Sequence, residues 1–197
     1  MSRFFLAITV MLAVGSCASR GGNAPRNLDN ACAILNERPH YVRAFRQTER
    51  KWGVPAHVLM AMIYQESRFI ADNRPPHRYA LGVIPTGRQS SALGYSQALD
   101  GTWAEYQAEE GGRGSRRDDI GDASDFMGWY MAQTVEETGV ALTDTRNQYL
   151  AYHDGRSGYL RGTWRSKGWL IRIAGEVDAR ADMYEEQLSS CRRWTRG

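Results

Sequence analysis

Apolar residues recur along this chain at steps of three and four, interrupted by proline and glycine, and that spacing predicts one helix after another. Pro39, at a first-turn position, opens a helix to Trp52, with Gly53 placed to end it. Pro55 starts the next, running to about Phe69 with Leu59, Met62 and Ile63 on its apolar stripe. A shorter helix is expected from about Leu99 to Glu109. Asp122 or Ser124 caps a helix with Phe126, Met127, Tyr130, Met131 and Thr134 on one face, closed by Gly139. Thr143 or Asp144 caps another, holding Gln148 to Tyr152 and closing at Gly155. In a long last helix, Trp169 to Ser190, the stripe Leu170, Ile173, Val177, Ala181, Tyr184, Leu188 carries on to Cys191 and turns that thiol inward. No segment alternates convincingly with period two, and Leu81 to Ile84 is the one short strand candidate. The expected class is therefore mainly α, a single helical domain. Two long connections stand out: Asp72 to Ala92, which holds three prolines, and Glu110 to Asp122, dense in Gly, Arg and Asp. Loops of that length in a helical domain are often binding loops or lids, with disorder as the competing account.

Composition narrows the class without changing the picture. At 197 residues, 42% hydrophobic and 24% charged, the chain has the size of one domain and the balance of neither a disordered nor a polytopic membrane protein. Its net charge is only +3, and Lys51 and Lys167 are the only lysines among 25 basic residues. The arginine excess reads as coding bias or as a surface that grips carboxylates bidentately. With 22 acidic residues against those cations and no basic run interleaved with aromatics, nucleic acid is not an expected partner.

The amino terminus reads as an address. Met1 to Arg3 form a short positive start, and Phe4 to Val14 an uncharged apolar run too short to span a bilayer but suited to a signal-peptide core. Val14-Gly15-Ser16-Cys17 resembles the bacterial lipobox, which implies cleavage before Cys17 and lipid on its thiol; a plain cleaved signal sequence is the alternative. The expected division is residues 1–16 as signal peptide, 17–30 as lipidated cysteine and flexible tether, and 31–197 as the folded domain. Ala18 after the cysteine, by analogy with lipoprotein sorting, implies a periplasmic protein anchored to the outer membrane. Cys32 and Cys191 then remain, and in an oxidising compartment they are expected to form a disulfide rather than stay as buried thiols.

Glu66 introduces chemistry. It falls at the next position of the stripe Leu59, Met62, Ile63, where a carboxylate must be neutral or paired. Burial raises its pKa, and a carboxylic acid protonated near neutrality is the general acid that glycosidic cleavage needs. A helix-end carboxylate turned to solvent and paired with Arg68 is the plainer reading. The four histidines, His40, His57, His77 and His153, are scattered, so neither a metal site nor a cofactor is expected.

Three stretches in order add to this: Glu66-Ser67 at a helix end, Gly94-Tyr95-Ser96-Gln97 leading into another helix, and Ala151-Tyr152-His153-Asp154-Gly155 at a third. Together, over roughly residues 39 to 165, they resemble the lytic transglycosylases of the soluble-type (SLT), goose-type lysozyme-like superfamily. The resemblance implies a lysozyme-like fold and peptidoglycan glycan strands as substrate. It implies Glu66 as catalytic acid and then base, Ser67 holding the sugar or the acid, and Gln97, with Tyr95 and Ser96 beside it, on the glycan. Tyr152 would hydrogen-bond near Glu66 and, with His153, shape the cleft. Tyr95-Ser96 where the family has Leu-Met, and His153 where it has Asn, are departures that bear on substrate detail. The long Ser67-to-Gln97 separation makes Asp72 to Ala92 a candidate lid or subsite loop.

The family manages with one carboxylate, the substrate's 2-acetamido oxygen supplying the second role, and closes a 1,6-anhydro ring on N-acetylmuramic acid without water. Asp72 would be the second carboxylate of a muramidase, though a turn role beside Asn73 and Pro75 suits it better. A non-catalytic peptidoglycan-binding lipoprotein serving envelope assembly, with a protein partner there, is the other class. Trp103 and Trp129 read as core more than as sugar-stacking platforms, and Arg113 to Asp119 as a solvated loop.

Overall fold

Residues 22–196 are described in the computed structural model; the expected signal peptide, its cleavage point and Cys17 lie outside the described residues. The helices are α1 (Ala31–Glu37), α2 (His40–Trp52), α3 (Ala56–Ser67), α4 (Asp100–Tyr106), α5 (Ile120–Thr138), α6 (Thr145–Asp154), α7 (Arg156–Arg161), α8 (Gly168–Ser190) and α9 (Arg192–Thr195). A hairpin of β1 (His77–Ala80) and β2 (Ile84–Arg88) stands between α3 and α4.

Local chemistry sets most of the helix ends. α2 stops at Gly53 and α5 at Gly139, both in the left-handed conformation that glycine adopts without strain. Asp144 caps α6 through Asn147 N–H. The cap of α5 is Asp119, ahead of the expected Asp122 or Ser124: its carboxylate accepts from the Gly121 and Asp122 amides. Asp122 instead accepts from Arg116 N–H at 2.8 Å, and Ser124 is buried inside the helix. The expected strand at Leu81 to Ile84 is mostly the turn of the hairpin, because Leu81 and Gly82 both take positive φ and reverse the chain. The short helices α1, α7 and α9 have too few turns to show a period.

Burial centres on α3. Residues Val58 through Ile63 are each fully buried, so the expected stripe is in fact a helix covered on all sides, packed on α8 and flanked by α2 and α5. α2 lies along α5, and α6 lies along α8. An aromatic group of Trp103, Tyr106, Phe126, Trp129 and Tyr130 fills the space between α4 and α5 and ends edge-to-face against Tyr152, ring centres 5.1 Å apart. Trp103 and Trp129 are therefore core. Small residues permit close approach: a Cβ on Gly128 would stand 2.4 Å from the Trp52 ring.

The two ends of the chain are tied together. Cys32 in α1 is bridged to Cys191, the residue that ends α8, across 159 residues of sequence. Residues 22–30, counted with the tether in the sequence reading, lie against the body: Pro25 is buried, Arg38 donates to Asn23 O, Tyr184 Oη donates to Leu28 O, and Arg180 pairs with Asp29. The carbonyls of Leu28 and Asp29 find side-chain donors on α8, which a solvated linker would leave to water.

Replacing both Cys32 and Cys191 by serine should lower stability by a few kcal/mol, with about 5 kcal/mol as the chain-entropy ceiling for so long a loop. Reduced wild-type protein should melt at the same temperature as the double variant, and calorimetry with and without reductant checks both.

Candidate active site

Glu66 occupies the last turn of α3, one residue before its end. The two residues after the helix ends at Ser67, Arg68 and Phe69, both hold positive φ (53° and 60°), a costly conformation for residues with a Cβ. Burial of Phe69, stacked on Tyr41, keeps the chain there. The tight reversal ends α3 just past Glu66 and leaves this residue partly exposed at the rim of the core.

A second strained turn meets the first. Gln97 has φ of 51°, and Gly94, at 80°, runs so close to the Arg117 carbonyl that a Cβ would stand 2.0 Å from its oxygen. Asn73 joins the two turns. Its side-chain amide donates to Glu66 O (3.3 Å), and its own carbonyl accepts from Gly94 N–H (2.9 Å) and from Gln97 Nε2 (3.0 Å). Gln97 Nε2 also donates to Gly94 O at 2.8 Å. Arg117 closes the knot from outside, donating to the carbonyls of Ser91 and Ala98 while pairing with Asp100. The stretch Arg113 to Asp119 is thus more than a solvated loop.

The third partner is α6. Tyr152 Oη donates to Ser96 O at 2.6 Å, and Tyr149, one turn earlier, hydrogen-bonds to the Glu66 carboxylate. Burial pushes the Glu66 carboxyl up to about 7, and the Tyr149 hydrogen bond holds it back from rising further. Burial also drives both phenols above their ordinary range, Glu66 adding to the effect, so they stay neutral donors. Asp154 anchors the end of α6, accepting from Thr163 Oγ1 and Lys167 Nζ.

The three expected stretches come together, but several side chains have other tasks. The Ser67 hydroxyl turns back to Ile63 O (3.2 Å) within its own helix and is buried, so it faces neither sugar nor acid. Tyr95 is buried with its hydroxyl 3.0 Å from that of Tyr41. Ser96 is fully buried and offers its carbonyl to Tyr152. That burial turns the Ser67 and Ser96 hydroxyls away from the surface, while Tyr95 keeps only one edge on a hollow beside Tyr41. The Gln97 amide N–H donors hold backbone, which leaves its Oε1 as the polar atom not so used. His153 is exposed on one side, its ring 5.1 Å from that of Trp169, which is 47% exposed; partial desolvation on its packed side and nearby Lys167 hold His153 below its ordinary pKa.

Asn73, Tyr149 and Trp169 were missed by sequence reasoning. Tyr149 had a signal, since it precedes Tyr152 by three residues and shares its helix face. Asp72 is exposed and lines a hollow of about 650 Å³ with Arg38, Tyr41, Tyr95 and Asp118, whose lining does not include Glu66. A further hollow of about 570 Å³, lined by Thr48, Lys51, Tyr106 and Asp125, likewise includes none of that constellation. Among the described residues no group of His, Cys, Asp or Glu is arranged to hold a metal.

A desolvated carboxyl at the end of a central helix, hydrogen-bonded by Tyr149 with Tyr152 near, can give and take a proton near neutral pH. The sequence family described as Transglycosylase SLT domain matches residues 5–191. The chain belongs to this family. Its mainly helical architecture is that of an SLT, lysozyme-like domain. A 62-residue stretch is 37% identical to membrane-bound lytic murein transglycosylase F 2 of Alkalilimnicola ehrlichii, taking in 32% of this chain and 14% of that protein, well under two thirds of its length. No solved structure matches.

Two outcomes follow for Glu66 in this SLT domain. Tyr149→Phe removes the hydrogen bond that lowers the carboxyl's pKa, so a carbon-13 NMR titration should give Glu66 a higher midpoint in the variant than in the wild type. Because the folded state binds this proton more tightly than the unfolded chain, Glu66 contributes stability that is full below about 4.5 and is lost as pH rises through about 7. Glu66→Gln should thus stabilise the protein at pH 8, by at most about 3 kcal/mol, and change little at pH 4, as read from urea unfolding at both pH values.

Proposed function

We propose that this SLT domain is a peptidoglycan lytic transglycosylase that cleaves the β-1,4 bond between N-acetylmuramic acid and N-acetylglucosamine. The observation that carries the reading is the Glu66 carboxyl, poised near neutrality by burial, with Tyr149 as its hydrogen-bond partner and no neighbouring carboxylate, among the described residues, contributing to its titration. Membership of the family and the identity shared with a lytic murein transglycosylase support the same chemistry.

Glu66 starts protonated and gives its proton to the departing O4 of N-acetylglucosamine as the C1–O4 bond breaks. The 2-acetamido oxygen of the muramic residue stabilises the positive charge at C1. The Glu66 carboxylate then takes the proton of the C6 hydroxyl, O6 bonds to C1, and the 1,6-anhydro ring closes with Glu66 protonated again. Water is not consumed. A hydrolase would need a second placed carboxylate, and Asp72 lines a hollow that does not include Glu66 and makes no contribution to the Glu66 titration. The Tyr149 hydroxyl steadies the carboxylate between its two tasks, and Gln97 Oε1, His153 and Trp169 are the groups offered to the glycan.

In this reading residues 1–16 are a signal peptide, Cys17 carries the lipid, residues 31–197 form the working domain, and the protein sits in the periplasm on the outer membrane. No helix among the described residues is long and apolar enough to cross a membrane. With residues 22–30 held on the body, the spacer is short.

Digestion of purified sacculi should release muropeptides ending in 1,6-anhydro-N-acetylmuramic acid. Glu66→Gln should lower the rate by at least about a hundredfold while leaving sacculus binding intact. Products with free reducing ends alone would defeat the transglycosylase assignment, and cleavage persisting in the variant would remove Glu66 from its role.

A further inference from the structure

The hairpin β1–β2 takes no part in the Glu66 constellation. Every residue of both strands is exposed. Its tip carries Tyr79, Leu81, Val83 and Ile84, 57%, 91%, 75% and 54% exposed, four of the seven large apolar side chains that are exposed among the described residues. Leu81 holds φ of 52° before Gly82 at 76°, a pair of turn positions where asparagine or glycine sits without strain. A leucine there is both strained and bare to water, so neither turn formation nor packing accounts for it.

Behind the tip the hairpin is cationic. Arg74, Arg78 and Arg88 lie in a stretch with no acidic residue between Asp72 and Asp100. None of the three pairs with a described carboxylate, whereas Arg116, Arg117, Arg156 and Arg180 all do. An apolar point with a basic collar complements a surface that is anionic at its face and apolar beneath. A protein groove would meet the tip but gives no reason for the collar.

We propose that the hairpin docks on an anionic phospholipid bilayer, with Leu81, Val83 and Ile84 entering between the head groups and Arg74, Arg78 and Arg88 meeting their phosphates. The chain's course agrees. Gly22 lies so near the hairpin's base that a Cβ on it would stand 2.9 Å from the Asp72 carboxylate. Cys17 is five residues earlier, a reach of at most about 18 Å. The strand from Pro75 to Leu81 extends about 20 Å, so a lipid on Cys17 and the hairpin tip can meet one membrane. Only this shared reach depends on the lipidation reading above; the chemistry of the tip stands without it. Two contacts, rather than one flexible anchor, would set how the Glu66 site faces the cell wall.

The test uses the chain beginning at Ala18, which has no lipid and whose core and disulfide lie wholly within residues 22–196. It should float with vesicles of phosphatidylethanolamine and phosphatidylglycerol (3:1) at least about tenfold better than with phosphatidylcholine alone, and less so as sodium chloride is raised. The triple variant Leu81→Asp, Val83→Asp, Ile84→Asp should lose flotation and digest sacculi as before. Arg74→Gln, Arg78→Gln, Arg88→Gln, melting as wild type, should lose about tenfold in binding. Equal recovery with both vesicles, no recovery with the anionic ones, or loss of sacculus digestion in the folded tip variant would each overturn the proposal, the last by assigning the hairpin to the glycan. Since this chain lacks Cys17, a negative result leaves the lipid anchor standing, and a mature protein found without lipid leaves the flotation result standing.

Discussion

A carboxyl at the end of a helix buried on every side faces a solvation problem, and much of the structure around Glu66 can be understood as its solution. The core that covers Val58 to Ile63 withdraws water from the last turn of α3 and raises the cost of charge there. Left alone, such a group would stay protonated and be a poor base. Tyr149, held at hydrogen-bonding distance by α6, restores part of the lost solvation and leaves the proton exchangeable near neutrality. Moving α6 relative to α3 would therefore alter chemistry before it altered the fold. Both helices pack on α8, which fixes that relation.

Strain gathers where the site is built. Of the four non-glycine residues with positive φ among the described residues, Arg68, Phe69 and Gln97 border the two turns that meet beside Glu66. Each conformation is unfavourable by itself and persists because packing and hydrogen bonds determine it: Phe69 by its burial against Tyr41, Gln97 by its two carbonyl acceptors. Asn73 links both turns through three hydrogen bonds, in a segment that reads as loop. Much of the polarity of the second stretch thus serves to hold backbone, and a smaller share is left to face a ligand. The fourth such residue, Leu81, has no packing to hold it, which is what separates the hairpin from the site.

The sequence determined the helical class, the spans of the longer helices and the apolar stripe on which Glu66 falls, because each rests on spacing along one chain, and it left Cys32 and Cys191 as the natural pair; whether the Glu66 carboxyl meets core or solvent was decided by tertiary structure. Proline and glycine mark the ends of α2, and the stripe ending at Cys191 turned that thiol inward before any partner was visible. Side-chain direction was decided only by tertiary structure. Ser67, Tyr95 and Ser96 stand at the expected places yet point into the core, since what a residue faces depends on elements far away in sequence. Tyr149 rather than Tyr152 reaches the carboxylate because of how α6 lies on α8. Asn73 acquires its role only when two loops meet, and residues 22–30 lie along the body because Arg38 and the side chains of α8 present donors to their carbonyls. Local periodicity carries which face of a helix is apolar; it carries no information on which distant atom that face will meet.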